Sequence, residues 1–175
     1  MACVLVVSDS PHVRAAVRTV LGADDQVVEA DDGRDVRMVV AEHEPDLCVM
    51  DLQVGSMGAV AVCLDLRLEE SGGRLPHVPV LMLLDRRADV FVARRSGAEG
   101  WVVKPTDPIR VRRAVAALLA GSRFEDPSYT PVPVAIPAWI GAPLPQPSRP
   151  AAGVAAEGHL QRADRPPPPR GTGLE

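Results

Sequence analysis

Residues 45–52 read PDLCVMDL: an unbroken apolar run at 47–50 that follows a Pro-Asp turn and delivers a second carboxylate, Asp51, at its end. Four consecutive apolar residues are too few for an ordinary helix and show no alternation. They read as a strand buried on both faces, the signature of a parallel sheet. Working outward, four further apolar runs occur, at Cys3–Val7, Gln26–Ala30, Val80–Leu84 and Gly100–Val103. Helical patterns fall between them. Val13, Ala16, Val17, Val20 and Leu21 recur at one-face spacing, opened by Ser10-Pro11 and followed by Gly22; Ser at the N-cap and Pro at the first helical position are start signals. Val111, Ala114, Val115, Leu118 and Leu119 repeat the pattern, opened by Asp107-Pro108 and closed near Gly121. Three more helices are expected over 33–43, 57–70 and 86–97.

Five strands alternating with five helices predict an α/β fold, a doubly wound parallel sheet with right-handed crossovers. Composition agrees. Hydrophobic residues make up 46% of the 175-residue chain but aromatic ones only 3%, so the core must be built from Val, Leu and Ala. A formal charge of −4 argues against a strongly basic nucleic-acid or membrane-surface binder. The start, MACVLVV, runs into Asp9 as a first strand would, and no apolar run approaches the roughly 20 residues that span a bilayer. Cys3, Cys48 and Cys63 lack C-x-x-C spacing and are expected to be reduced thiols in a cytoplasmic protein.

Composition shifts near Gly121. Twelve of the 18 prolines follow it, among Ala, Gly and Ser, a stretch unable to bury enough surface to offset the entropy of ordering. The expected division is a domain over 1–121 and a proline-rich, largely disordered tail over 122–175. Within the tail, 129–144 (YTPVPVAIPAWIGAPL) spaces apolar residues between prolines and is suited to dock, extended, on a partner or on the domain.

In sheets of this type chemistry gathers at the carboxyl ends of the strands. Strand one ends in Ser8-Asp9-Ser10, strand three in Asp51, and strand five is followed by Lys104-Pro105. In the order 2-1-3-4-5, Asp9 and Asp51 terminate neighbouring strands. Two close carboxylates repel unless a cation lies between them, and Mg²⁺ suits a pair of carboxylates completed by water and phosphate oxygens. A carboxylate can also accept a phosphoryl group. Lys104 is the one lysine among 19 Lys and Arg residues. A compact ammonium kept where every other cation is a guanidinium suggests a need for a point charge.

These pieces resemble the response-regulator receiver family: VLVVSD at strand one, PDLCVMDL around Asp51, PVLML at strand four and SGAEGWVVKPTDP across strand five. The resemblance covers residues 3–120. It implies a flavodoxin-like (βα)₅ fold and Mg²⁺-dependent phosphoryl transfer from a partner histidine kinase. By position it makes Asp51 the acceptor, Asp9 a metal ligand, Lys104 the phosphoryl contact and the Gln53 backbone carbonyl a third ligand. The departures point elsewhere. Ser8 stands where the family has a first acid, Ser10 where a further acid is common, and Val54-Gly55-Ser56-Met57-Gly58 where a proline-glycine turn is usual. Leu84 occupies the place of the switch Ser or Thr, whose hydroxyl bonds the phosphoryl group. Trp101 stands at the aromatic switch position, either as a rotamer switch or as a core residue, and Asp85 is expected to be a solvated loop acid, the alternative being an added negative charge near the pocket.

The favoured reading is therefore an atypical stand-alone receiver that signals through protein–protein contacts with weak or no dependence on phosphorylation. The alternative is a phosphorylatable single-domain response regulator. A flavodoxin-like enzyme is a distant third, because no Gly-rich phosphate loop follows strand one and His12, His43, His77 and His159 are scattered. No direct DNA binding is expected: residues 122–175 carry five Arg against five acids and no helix-turn-helix pattern. A partner surface, for another protein or a second copy, is expected on the fourth helix, fifth strand and fifth helix. Arg86, Arg87, Arg94, Arg95, Arg110, Arg112 and Arg113 gather there, either as solvated helix faces or as a basic interface.

Overall fold

Val, Leu and Met dominate the strands, and they divide by parity between two cores. In the computed structural model, which describes residues 1–129, the strands are β1 (Cys3–Val7), β2 (Gln26–Ala30), β3 (Leu47–Asp51), β4 (Val80–Leu84) and β5 (Gly100–Val103). They pair in parallel in the order β2-β1-β3-β4-β5, as expected. Leu5, Val7, Cys48, Met50, Met82, Leu84, Trp101 and Val103 point to one face, and Val4, Val6, Leu47, Val49, Leu81, Leu83 and Val102 to the other. Every residue of β3, β4 and β5 is buried. Each such Val or Leu contributes roughly 1.5–3 kcal/mol of burial.

The helices cover both faces. α1 (Pro11–Val20) and α5 (Pro108–Leu119) lie on the second face through Val17, Val20, Val111, Ala114, Val115 and Leu118. α2 (Val36–His43), α3 (Ala59–Ser71) and α4 (Val90–Arg95) lie on the first through Val36, Val40, Ala59, Val62, Cys63, Leu66 and Ala93. Pro11 opens α1 as the sequence suggests, but the Ser10 hydroxyl makes no cap bond; its backbone carbonyl accepts from Val13 and Arg14 instead. Asp107 does cap α5, its carboxylate accepting the Ile109 N–H at 2.8 Å.

Three helix starts differ from expectation. Gly33–Asp35 and Arg87–Asp89 are single 3₁₀ turns ahead of α2 and α4, and α3 begins at Ala59 rather than 57. In two of these places an aspartate engages a nearby backbone amide: Asp32 accepts from Arg34 N–H at 2.8 Å and Asp89 from Arg86 N–H at 2.9 Å. Such local bonds compete with the helical ladder.

The fold also continues past the expected boundary at residue 121. Gly121, in a left-handed conformation (φ +74°), closes α5. The chain then runs alongside β5 as a sixth parallel strand, β6 (Phe124–Glu125), with Phe124 opposite Gly100 and Glu125 opposite Trp101. A 3₁₀ turn, Pro127–Tyr129, follows. Composition marked the change at Gly121, whereas a two-residue strand has no periodicity to read. What holds it is Asp126, 2% exposed. The rest of the expected tail, including nearly all of 129–144, lies outside the described residues.

Candidate acid pocket at the strand ends

The ends of β1, β3 and β5 bring Ser8, Asp51 and Lys104 together. Asp51, 4% exposed, is the last residue of β3. Its Oδ1 accepts from Lys104 Nζ at 2.7 Å and from the Gln53 N–H at 3.3 Å, and its Oδ2 accepts from the Ser8 hydroxyl at 3.2 Å. Ser8 is fully buried and its oxygen also accepts the Ser10 N–H at 3.2 Å. Where the resemblance called for an acid, the chain thus supplies a neutral donor aimed at the acceptor carboxylate.

Lys104 is shared. Its Nζ donates to Asp85 Oδ1 at 3.0 Å as well as to Asp51. Asp85 is therefore not the purely solvated loop acid the sequence suggested. Burial pulls the Lys104 ammonium toward a lower pKa, but the hydrogen bonds and charges of Asp51 and Asp85 outweigh it and hold the pKa above the ordinary lysine value. The Lys104 N–H donates to the Leu84 carbonyl at 2.8 Å, which anchors the residue to the end of β4.

Asp9 is exposed, and among the described residues no hydrogen bond or ion pair engages its carboxylate. It stands across from Gly55, where an added Cβ would lie 3.7 Å from Asp9 Oδ2. The loop carrying Gly55 is fixed by a bridge to Asp32 and by the Ser56 hydroxyl, which donates to Asp32 Oδ2 at 2.7 Å. Asp9, Asp51 and the Gln53 backbone carbonyl suit a hard divalent ion as a two-carboxylate set. Among the described residues no group of three or more His, Cys, Asp or Glu side chains is arranged to hold a metal. Ser8 contributes no charge to this expected donor set.

Leu84 and Trp101 lie behind the pocket. Leu84 is fully buried in the first-face core together with Trp101, itself 5% exposed. Trp101 is packed inside, with the Arg94 guanidinium 5.1 Å from its ring centroid. Arg94 also pairs with Glu125 of β6 at 2.6 Å. The arginine cluster is less free than its composition implied. Arg86 pairs with Asp89 at 3.2 Å and Arg110 with Asp126 at 2.9 Å, while Arg95 lies 5.7 Å over the Phe91 ring. Arg112 and Arg113 are exposed on α5.

Sequence reasoning missed the Ser8 hydroxyl as a donor to Asp51 and missed Asp126, and it placed Asp85 beside the pocket only as the lesser alternative. The position of Asp85, one residue past a strand end, was a usable signal. Asp126 had none.

A parallel sheet in this order with a buried aspartate, a lysine and a further acid at the strand ends defines a class, and the comparisons agree with it. Residues 4–116 match the response regulator receiver domain model, and the chain belongs to that family. Among curated relatives, the DNA-binding response regulator MtrA of Mycolicibacterium smegmatis is 32% identical over 70% of this chain and 52% of its own length. The transcriptional regulatory protein KdpE of Mycobacterium tuberculosis is 33% identical over 73% of this chain and 57% of its own length. The chain spans about half the length of the curated relatives it matches. Among solved structures, a LuxR-family two-component response regulator from Aurantimonas aligns with a TM-score of 0.65 at 28% identity, covering 74% of this chain and 92% of that one. The chemotaxis response regulator CheY4 of Vibrio cholerae aligns with a TM-score of 0.59 at 27% identity, over 66% of this chain and 97% of that one.

Proposed function

We propose that this receiver domain works in two-component signalling as a protein-interaction module whose output depends weakly or not at all on phosphorylation of Asp51. The observation that carries the reading is Leu84. The end of β4 offers a fully buried aliphatic side chain, so a phosphoryl group on Asp51 would find no hydroxyl there to draw toward it. One hydrogen bond to a charged group is worth about 1.5–3 kcal/mol, enough to set the balance between two conformations. The Ser8 hydroxyl bond to Asp51 supports the same reading, because a neutral donor stands where the family has an acid.

Mg²⁺ binding at Asp9, Asp51 and the Gln53 carbonyl is weak in this proposal, since Ser8 removes one negative charge from the pocket. The partner is a histidine kinase or another protein, met through α4, β5 and α5, where Phe91 and Ile109 are exposed beside Arg95, Arg112 and Arg113. MtrA and KdpE are named for DNA binding and transcription; for this chain we propose protein contacts in the cytoplasm instead. Among the described residues no helix is long and apolar enough to cross a membrane.

A second reading, a phosphorylatable regulator, is favoured by the 2.7 Å contact between Lys104 and Asp51, which leaves the acceptor and its ammonium side by side. Titration with Mg²⁺ and beryllofluoride, followed by amide NMR shifts over 84–119 in the full chain, separates the two. The proposal expects shifts confined to the pocket and the same partner affinity for wild type and Asp51→Asn. Saturable shifts across α4 and β5 that vanish in Asp51→Asn would establish the second reading instead.

A further inference from the structure

Lys104 answers to two carboxylates, one at the end of β3 and the other in the loop that leads from β4 into α4. Asp51 holds it at 2.7 Å from the end of β3, and Asp85 at 3.0 Å from the residue after β4. The side chains are only partly exposed, 27% for Lys104 and 34% for Asp85, so the pair is neither free in solvent nor sealed. The far side of the same loop is fixed as well. Asp89, 7% exposed, accepts the Arg86 N–H at 2.9 Å and pairs with the Arg86 guanidinium at 3.2 Å. From Asp85 to Asp89 the β4–α4 loop is therefore clamped, first onto the ammonium of β5 and then onto itself.

Leu84 cannot connect this loop to the pocket, and its neighbour does so by another route. We propose that Asp85 is a positioning residue that supplies the anion Lys104 holds at the mouth of the pocket, fixing the β4–α4 loop in one arrangement while Asp51 is unmodified. The proposal rests on the phosphorylation-independent reading and deepens it: the pocket and the α4 end of the interaction face are joined by a standing ion pair. Two aspartates, Asp51 and Asp85, hold one ammonium, and only the Asp85 contact ties that charge to the loop. An amide of the same size would keep a hydrogen bond to the lysine but lose the charge that holds the loop.

The test is amide hydrogen exchange in the full chain, with Asp85→Ala, Asp85→Asn and Asp85→Glu made in wild type and in a Lys104→Met background. Exposed to partly buried ion pairs are worth up to about 1 kcal/mol, or about fivefold in a local opening equilibrium. Asp85→Ala should accelerate exchange over 85–90 by roughly three- to fivefold, with Asp85→Asn intermediate and Asp85→Glu close to wild type. In Lys104→Met the same Asp85→Ala change should do nothing further, because the partner is already gone. Equal acceleration in both backgrounds, or none in either, overturns the proposal. If Lys104→Met does not fold, Lys104→Gln serves the same cycle. Failure here is distinct from failure of the functional reading, which is decided by the beryllofluoride response of wild type and leaves these exchange rates untouched.

Discussion

The Asp126 carboxylate accepts the Val103 N–H at 3.2 Å, so the segment after α5 grips the residue that immediately precedes Lys104. The same carboxylate accepts from Arg110 at 2.9 Å and from the Ser128 N–H at 3.0 Å. One side chain, wholly buried, thereby joins β5, α5 and the final turn.

Replacing it should be costly. Asp126→Ala leaves a buried amide and a guanidinium without their acceptor, and we expect a loss of about 1–3 kcal/mol. Urea denaturation measures the loss, and amide exchange at Val103 and Lys104 should rise with it. An unchanged midpoint would show that β6 is dispensable to the domain.

Leu84→Thr tests the missing relay directly. The variant restores a hydroxyl at the end of β4 but removes buried methylenes from the first-face core, with an expected cost of about 2–5 kcal/mol. In a Trp139→Phe background, Trp101 fluorescence should then respond to Mg²⁺ and beryllofluoride where wild type does not. The absence of any gained response would mean that more than the hydroxyl is wanting.

Gly33 is held by its surroundings. A Cβ there would lie 1.9 Å from the Met57 carbonyl oxygen, a backbone atom that cannot swing aside. Gly33→Ala should cost about 2–3 kcal/mol through forced displacement of the loop behind Gly55. A smaller drop in the urea midpoint would show that this loop yields easily.

Acid should weaken the fold through four carboxylates. Asp25 is held low by the Ala2 and Gly22 amides, and Asp32 by the Arg34 guanidinium, then the Ser56 hydroxyl and the Arg34 amide. Glu69 is held low by Arg74, and Glu70 by His77 and Arg67. A depressed folded pKa gives stability that is complete above the unfolded value, 3.8 for Asp and 4.5 for Glu, and drains away as pH falls through the folded one. The urea midpoint should stay level down to about pH 5 and decline below it, with a shallower decline in Ser56→Ala. Identical acid limbs in the two proteins would remove Asp32 from the account.

Much of this architecture was legible because buried parallel strands announce themselves. The runs at Cys3–Val7 and Val80–Leu84 need no context to be read, and the one-face spacing of Val111, Ala114, Val115 and Leu118 survives unchanged in α5. Asp51 and Lys104 were legible for a related reason: each ends or follows such a run, and topology then brings them together. What stayed hidden depends on contacts between distant segments. Asp126 is an unremarkable acid in a proline-rich stretch until Val103 and Arg110 are placed beside it. Asp85 looked solvated because its place one residue past a strand end sets it near the pocket without fixing which way a loop carboxylate turns. Ser8 was noticed for the charge it lacks, whereas its hydroxyl bond to Asp51 needed the geometry of β1 against β3.

The sixth strand also changes where this sheet is vulnerable to growth by other chains. β6 is two residues long and pairs only with Gly100 and Trp101, too short a margin to template an intruding strand. On the opposite side β2 presents five residues, the length a foreign segment needs. Its safeguard is Glu29, the fourth of its five residues, held by Arg14 at 3.1 Å and Arg18 at 2.7 Å: a charge on the margin that acts as gatekeeper against aggregation. Among the described residues, edge-to-edge self-assembly therefore has one practical route, along β2, and Glu29 guards it.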